Sequence, residues 1–108
     1  LRIKQMIGGS TIRHTAFIGK KISRVALCGG SGSYLINSAI AAGANVFLSG
    51  DIKYHDFFMS EAKILLADIG HYESEQFTKE LLFTLLTKNF PNFAIFISDT
   101  PTNPIIYL

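Results

Sequence analysis

The sequence has little of several features that would place a protein in a special class. One cysteine among 108 residues, Cys28, excludes a disulfide bond within the chain. No apolar run approaches the roughly 20 residues that a membrane-spanning helix needs, so no membrane partner is expected. The formal net charge is only +2 and the ten basic residues are scattered, which argues against nucleic acid as a partner. No export signal opens the chain, and we expect a cytoplasmic location.

Apolar residues, by contrast, are abundant. They make up 48% of the chain and supply enough material for one core, so we expect residues 1–108 to form a single domain. The mean hydropathy is positive. We therefore expect part of the apolar surface to meet other protein, in a homo-oligomer or in a covalently attached segment. The chain begins with Leu1 rather than Met, and we expect it to be a piece of a longer protein.

The middle of the sequence predicts a β-strand, a helix and a second strand. Residues 24–28 form a short apolar run that the Gly/Ser segment 29–33 interrupts, and residues 34–42 have apolar side chains at helical spacing. Gly43 is typical of a helix end, and residues 45–48 then read as a second buried strand. Such a βαβ unit pairs its strands in parallel, which indicates an α/β fold: three layers, α/β/α, around a mostly parallel sheet.

The remaining sequence extends this alternation. Phe77, Leu81 and Leu85, broadened by Leu82 and Leu86, predict the buried stripe of one long helix that opens within residues 68–75. The other predicted elements are a helical stretch near 56–63, strands at 64–67 and 93–97, a turn at 101–104 with an edge strand at 105–107, and, at the start, a helix at 1–7 and a strand at 11–17.

Three polar segments follow predicted strands, at residues 29–33, 50–55 and 68–75. In an open parallel sheet, the loops at the carboxyl ends of the strands lie along one edge, where ligands bind. We therefore expect these segments to lie close together. The glycines of the first segment could hold a phosphate, with Asp51 placed as a ribose-binding acid, although glycine turns between a strand and a helix are also common for steric reasons.

His71 and Glu75 are the most informative pair in the chain. Residues four apart share one face of a helix, so an imidazole and a carboxylate can converge on one metal ion. Metal sites generally use three or more protein ligands, and the candidates for the others are Asp68, Asp51 and His55, or a segment outside this chain. A second interpretation is that Glu73 and Glu75 only complement the positive helix end. His55 has two interpretations as well, a ligand-orienting group or a simply hydrogen-bonded side chain.

Three ordered motifs resemble one known family. They are Val-Ala-Leu-Cys-Gly-Gly-Ser-Gly-Ser at 25–33, Ala-Ala-Gly-Ala-Asn-Val-Phe-Leu-Ser-Gly-Asp-Ile-Lys-Tyr-His at 41–55, and Gly-His-Tyr-Glu-Ser-Glu at 70–75. The family is the dinuclear-metal, hexameric group that carries the name GTP cyclohydrolase I type 2 and includes the Nif-like (NGG-interacting factor-like) proteins. This chain resembles the carboxyl-terminal half of its duplicated, two-half fold.

The resemblance implies a site and partners. Family members hold two divalent metal ions per full-length subunit, zinc (Zn), manganese (Mn) or iron (Fe), inside a hexameric ring. The Gly-His-Tyr-x-x-Glu motif implies that His71 and Glu75 are metal ligands, and Asp51 and His55 match a pocket or supporting segment. The other ligands belong to the amino-terminal half, so this chain alone is expected to hold an incomplete site.

Three functions follow from this resemblance. The first is one half of a metal-dependent hydrolase of the cyclohydrolase type, with its catalytic residues unknown. The second is storage or delivery of metal with the same ligands and no turnover. The third is a ring-forming interaction module that recruits a partner without catalysis.

Overall fold

The central feature of the fold is a four-stranded sheet, seen in a computed structural model that describes residues 2–8 and 11–108. The strands are β1 (Arg13–His14), β2 (Val25–Ser31), β3 (Val46–Gly50) and β4 (Leu65–Asp68). The helices are α1 (Arg2–Met6), α2 (Ile36–Ala41), α3 (His71–Glu75) and α4 (Thr78–Asn89), with 3-10 helices at Ser33–Leu35 and Tyr54–Ser60. The strand order is β1-β4-β3-β2, in which β2, β3 and β4 run parallel and β1 is antiparallel. The prediction of a mostly parallel α/β sheet is confirmed.

The two central strands are buried on both faces, as parallel strands covered by helices usually are. Phe47 packs with Ile36 of α2 on one face, and Val46 and Leu48 pack with Ile7, just after α1, on the other. Alternate residues of β3 thus belong to two separate hydrophobic core clusters, because successive side chains of a strand point to opposite faces. The sheet is therefore the middle of the three predicted layers.

The predicted βαβ unit is present. Gly43 ends the α2 turn with φ of 71°, a left-handed conformation that favours glycine, and its N–H donates to the Ile40 carbonyl at 2.9 Å. The Asn45 side chain then accepts hydrogen bonds from the backbone N–H groups of Ser23 and Arg24 at 2.8 and 3.0 Å. These bonds hold the start of β3 beside the start of β2.

The Gly/Ser segment differs from its prediction as a loop. Strand β2 continues through Gly29 and Gly30 to Ser31, with an irregular register between Leu27 and Ser31. Gly30 has φ of 65°, which identifies a local bulge in the strand. Glycines inside a strand typically mark such a bulge or a close approach of another segment.

The long helix also differs from the prediction. It is divided into α3 and α4, and α4 contains no buried residue. The stripe predicted to be buried is exposed, because neither core cluster of the described chain reaches it. Its members are Phe77, Leu81, Leu82, Leu85 and Leu86.

The predicted strands at 93–97 and 105–107 are wrong for this structure. Neither segment forms a strand, and both lie outside the sheet, whose edge positions are taken by β1 and β2. The predicted strand at 11–17 is reduced to the two residues of β1, and the predicted opening helix is α1, with Leu1 outside the described residues. In the part of the chain that the structure describes, no helix is long and apolar enough to cross a membrane.

A buried carboxylate, Asp68, ties the carboxyl end of β4 to its surroundings. Its Oδ2 accepts hydrogen bonds from the Arg13 guanidinium and from the backbone N–H of Ile52 at 3.0 Å, and its Oδ1 accepts from Gly70 N–H at 2.9 Å. The side chain of Asp68 is only 5% exposed. Removing one partner from such a buried arrangement leaves others unsatisfied.

We therefore expect Asp68→Asn to destabilise the full-length protein by about 2 kcal/mol, since an amide cannot accept all these bonds at once. The measurement is the shift in the urea unfolding midpoint. Asp99→Asn is the control, because Asp99 is exposed. Equal midpoints for the two variants would contradict the role assigned to Asp68.

Candidate functional site

The site lies at the carboxyl edge of the parallel strands, as predicted. The Ile69 N–H donates to the Ser49 carbonyl at 2.8 Å, which brings the chain leaving β4 beside the end of β3. Gly70 follows with φ of 90°, a conformation that a side chain would strain, and α3 begins immediately afterwards at His71. The first turn of α3 is thereby held against the ends of β2 and β3.

His71 lies between two carboxylates. Its Nδ1–H donates to Asp51 Oδ2 at 2.6 Å, and its Nε2 is 3.3 Å from Glu75 Oε2 on the next turn of α3. The Ser31 hydroxyl donates to the same oxygen of Asp51 at 2.7 Å. The side chains of His71 and Glu75 are 47% and 52% exposed, so both can be reached by solutes. The structure thus brings together three of the four predicted site residues.

The electrostatics of this group follow from its hydrogen bonds. The hydrogen bond to Asp51 raises the pKa of His71, and the negative charges of Asp51 and Glu75 act in the same direction. The same hydrogen bond from His71, together with the one from Ser31, lowers the pKa of Asp51. The imidazole therefore favours its protonated, positively charged form. The two carboxylates would also stabilise a metal cation bound beside the ring.

Two glycines leave room for this group. A Cβ atom on Gly50 would lie 2.8 Å from the backbone N and Cα of His71. A Cβ atom on Gly30 would lie 2.7 Å from a carboxylate oxygen of Glu75 and 3.3 Å from the ring of His71. The bulge in β2 and the end of β3 can approach α3 this closely only because both positions lack side chains.

Serine hydroxyls connect the same elements, and the sequence analysis missed them. Ser74 Oγ accepts a hydrogen bond from Gly30 N–H at 2.8 Å and donates to the His71 carbonyl at 2.7 Å. Ser49 Oγ is buried and donates to the Gly30 carbonyl at 3.0 Å. The two contacts with Gly30 join residues 44 and 19 positions apart, for which no sequence periodicity exists. The one available signal was the pair of glycines in a strand.

The donor set fits a metal ion in part. Two donor atoms that each lie about 2.0–2.2 Å from a tetrahedral ion are roughly 3.4 Å apart, close to the 3.3 Å between His71 Nε2 and Glu75 Oε2. Metal-binding histidines usually donate their other ring N–H to a carboxylate, as His71 does to Asp51. Within residues 2–8 and 11–108, no group of three or more His, Cys, Asp or Glu side chains is arranged to hold an ion. The described chain thus has two side chains that could bind an ion, His71 and Glu75, and one carboxylate, Asp51, that could support them.

Two other predicted candidates lie elsewhere. The ring of His55 packs edge-on against Tyr54, with 5.2 Å between the ring centroids. Asp68, considered as a possible third ligand, is occupied by Arg13 and by backbone N–H groups. Its role in this structure is to hold β4 and the start of α3.

The fold and the site define an α/β protein with a mostly parallel sheet and a His-Asp-Glu group at its carboxyl edge. The family model for Duf34/NIF3 (NGG1p interacting factor 3) matches residues 1–104, and the chain belongs to this family. It is 39% identical over 113 aligned residues to a GTP cyclohydrolase 1 type 2 homolog of Staphylococcus aureus, and 35% identical over 108 to one of Staphylococcus epidermidis. The alignments cover 98% and 96% of this chain. The chain spans 30% of the length of either relative.

Solved structures agree with this assignment. The Staphylococcus aureus protein SA1388 superposes with a TM-score of 0.76 at 32% identity, over 97% of this chain and 36% of that protein. A Bacillus cereus protein related to NIF3 superposes with a TM-score of 0.74 at 28% identity, over 97% of this chain and 30% of that one. Both comparisons cover nearly the whole chain but only about a third of each neighbour.

Proposed function

We propose that the full-length protein is a metal-dependent hydrolase and that this chain supplies two of its metal ligands, His71 and Glu75. The observation that carries the proposal is the 2.6 Å hydrogen bond from His71 Nδ1 to Asp51. It leaves Nε2, the nitrogen beside Glu75, as the one available to an ion. The relatives' name, GTP cyclohydrolase 1 type 2 homolog, supports the hydrolase class.

Each residue of the group has a definite task in this proposal. His71 Nε2 and a carboxylate oxygen of Glu75 bind the ion, and Asp51 fixes the orientation and the tautomer of the imidazole. Ser31 holds the Asp51 carboxylate through its hydroxyl. A divalent ion held there would supply Lewis acidity and allow water to be activated near neutral pH.

The ligand count supports an incomplete site on this chain. We propose that this chain is the carboxyl-terminal half of the full-length protein, that a full-length subunit holds two divalent ions, zinc, manganese or iron, and that the remaining ligands come from the other half. His55 stays a proposed pocket residue, placed on the 3-10 helix that follows Asp51. The 30% coverage of the relatives is compatible with such a missing part.

Assembly belongs to the same proposal. Helix α4 carries an exposed apolar stripe, with Leu81, Leu82 and Leu85 as its centre. Apolar patches of this kind usually mark a surface that contacts other protein. We propose that the missing half and neighbouring subunits of a hexameric ring cover such surfaces. We also propose that the protein is cytoplasmic, because the free thiol of Cys28 suits a reducing compartment.

The test uses the full-length protein. Elemental analysis should find about two divalent ions per subunit, and chelation should abolish the hydrolysis of GTP, which one of zinc, manganese or iron should restore. Ions bound without any turnover would favour metal storage or delivery. Less than one bound ion per subunit after loading with all three metals would contradict the metal site itself.

A further inference from the structure

The helix that carries His71 and Glu75 is short. Helix α3 has five residues, and the two proposed ligands are its first and last members. Isolated helices of fewer than about 12 residues are marginal in water, so α3 depends on contacts with the rest of the fold. The geometry of the ligand pair is therefore set by the contacts that hold α3 against the sheet.

One side chain of α3 is hydrogen-bonded in two directions. The Ser74 hydroxyl accepts a hydrogen bond from Gly30 N–H at 2.8 Å and donates one to the His71 carbonyl at 2.7 Å. A single oxygen atom thus connects strand β2 to the residue that carries the first proposed ligand. Ser74 is also the sequence neighbour of the second, Glu75. The substitution Ser74→Ala would remove both hydrogen bonds.

The strand to which Ser74 is bonded is itself fixed at this point. The Gly30 carbonyl accepts a hydrogen bond at 3.0 Å from the hydroxyl of Ser49, a fully buried residue of β3. The register of β2 with β3 is irregular between Leu27 and Ser31, so Gly30 lies outside the regular ladder. Its N–H and its carbonyl are instead held by two serine hydroxyls, and these bonds link the buried centre of the sheet to α3.

Gly30 also approaches the ligand pair closely. A Cβ atom on Gly30 would lie 2.7 Å from Glu75 Oε1 and 3.3 Å from His71 Nε2. Because glycine has no side chain to space the strand from this pair, the hydrogen bond from Gly30 N–H to Ser74 is the specific contact that fixes their separation. Binding groups generally have to be held within about 0.5 Å of the productive geometry, so the loss of this contact would matter for an ion.

We propose that Ser74 is a positioning residue of the metal site, whose hydroxyl holds α3 on the Gly30 bulge and keeps His71 and Glu75 ready to bind one ion. This inference rests on the proposed function for the ion, whereas the hold on α3 belongs to this chain alone. Groups that are already ordered lose less freedom on binding, and the affinity is correspondingly higher. Ser74 thus contributes to metal affinity without contacting the ion.

The test compares two serines whose hydroxyls each donate to a backbone carbonyl. In the full-length protein, Ser74→Ala should lower the affinity for zinc about tenfold, as loss of a supporting group typically does, with little change in the urea unfolding midpoint. Ser60→Ala should do the opposite. The Ser60 hydroxyl is buried within this chain and donates to the Ile64 carbonyl at 2.6 Å, so its loss should lower the midpoint and leave zinc affinity unchanged. Competition with a chromogenic chelator measures the affinity.

A conservative substitution separates the hydroxyl from the rest of the side chain. Ser74→Thr keeps the hydroxyl and should retain most of the zinc affinity that Ser74→Ala loses. A Ser74→Thr variant that binds zinc as weakly as Ser74→Ala would overturn the positioning role, and so would an equal loss of affinity in Ser60→Ala and Ser74→Ala.

Hydrogen exchange in the metal-free protein tests the hold on α3 without any ion. Peptides that contain Gly30 or α3 should exchange their amide hydrogens faster in Ser74→Ala than in the unmodified protein, whereas Ser60→Ala should leave these peptides unchanged. If the protein binds no zinc but this difference is present, the metal proposal fails and the hold of Ser74 on α3 stands. If zinc is bound and exchange in Ser74→Ala is unchanged, the metal proposal stands and the positioning role of Ser74 is overturned.

Discussion

Replacing His71 by alanine in the full-length protein should lower the affinity for divalent metal by more than about 100-fold. Loss of a supporting residue typically costs 10- to 100-fold, and loss of a ligand exceeds this. Glu75→Gln should have a similar effect, because an amide is a weaker ligand than a carboxylate. Asp51→Asn should cost about tenfold, since the imidazole keeps its nitrogen but loses the carboxylate that orients it. Elemental analysis after dialysis against a graded chelator measures all three.

His14 provides the control for this series, and His55 is the proposed pocket residue. His14 is exposed and hydrogen-bonds the neighbouring Thr15 carbonyl through Nδ1 at 2.8 Å, so His14→Ala should leave metal content unchanged. His55→Ala tests the predicted pocket residue, whose ring contacts Tyr54. A metal content in His71→Ala equal to that in His14→Ala would remove the basis of the metal proposal. We expect the loss of metal affinity to be largest at His71, smaller at Asp51 and absent at His14. Removal of any histidine, irrespective of its position, would not produce this order.

The part of the fold that local patterns specify was predictable. The strands β2, β3 and β4 follow from short apolar runs, and the stop at Gly43 follows from the left-handed conformation that ends α2. These signals lie within the elements themselves. The parallel arrangement then follows from the βαβ order, because such a connection leaves few topologies.

The elements beyond α3 were less predictable because their partners are not local. The apolar spacing in α4 and the strand-like runs at 93–97 and 105–107 indicate burial or pairing, yet the described chain provides neither. Hydrophobic periodicity shows that a face needs a partner but not where the partner lies. Residues of the full-length protein outside this chain would supply it under the proposal made above.

In the candidate site, too, the features that depend on local spacing were predictable and those that depend on distant contacts were not. The spacing of four placed His71 and Glu75 together, and the rule for carboxyl ends of strands placed Asp51 near them. The roles of Ser31 and Ser74 depend on hydrogen bonds between distant parts of the chain, for which a single sequence gives no pattern. His55 lies in the expected segment, but its side chain direction is set by packing against Tyr54.

Gly50→Ala should have the second-largest effect, although the substitution adds only one methyl group. Its Cβ would lie 2.8 Å from backbone atoms of His71 and 2.9 Å from the carbonyl carbon of Gly70, which cannot rotate away as a side chain would. Ordinary contact begins near 3.4 Å, so β3 and the start of α3 would have to separate by about 0.6 Å. We expect a loss of stability of about 3 kcal/mol, together with metal binding weakened by more than tenfold.

The matched control for Gly50→Ala is Gly29→Ala in the neighbouring strand. A Cβ atom on Gly29 would meet Glu75 Cγ at 3.5 Å, which is an ordinary contact, so stability and metal content should remain close to those of the unmodified protein. Both variants add one methyl group near α3, but the methyl group of Gly29→Ala meets backbone only at 3.8 Å, from the Ser74 carbonyl, whereas that of Gly50→Ala would overlap backbone atoms. Urea unfolding and elemental analysis measure the two effects separately. If the Gly50→Ala variant keeps its bound metal and its unfolding midpoint, α3 can shift without loss of metal binding. The requirement that His71 and Glu75 be held within about 0.5 Å of their positions would then be incorrect.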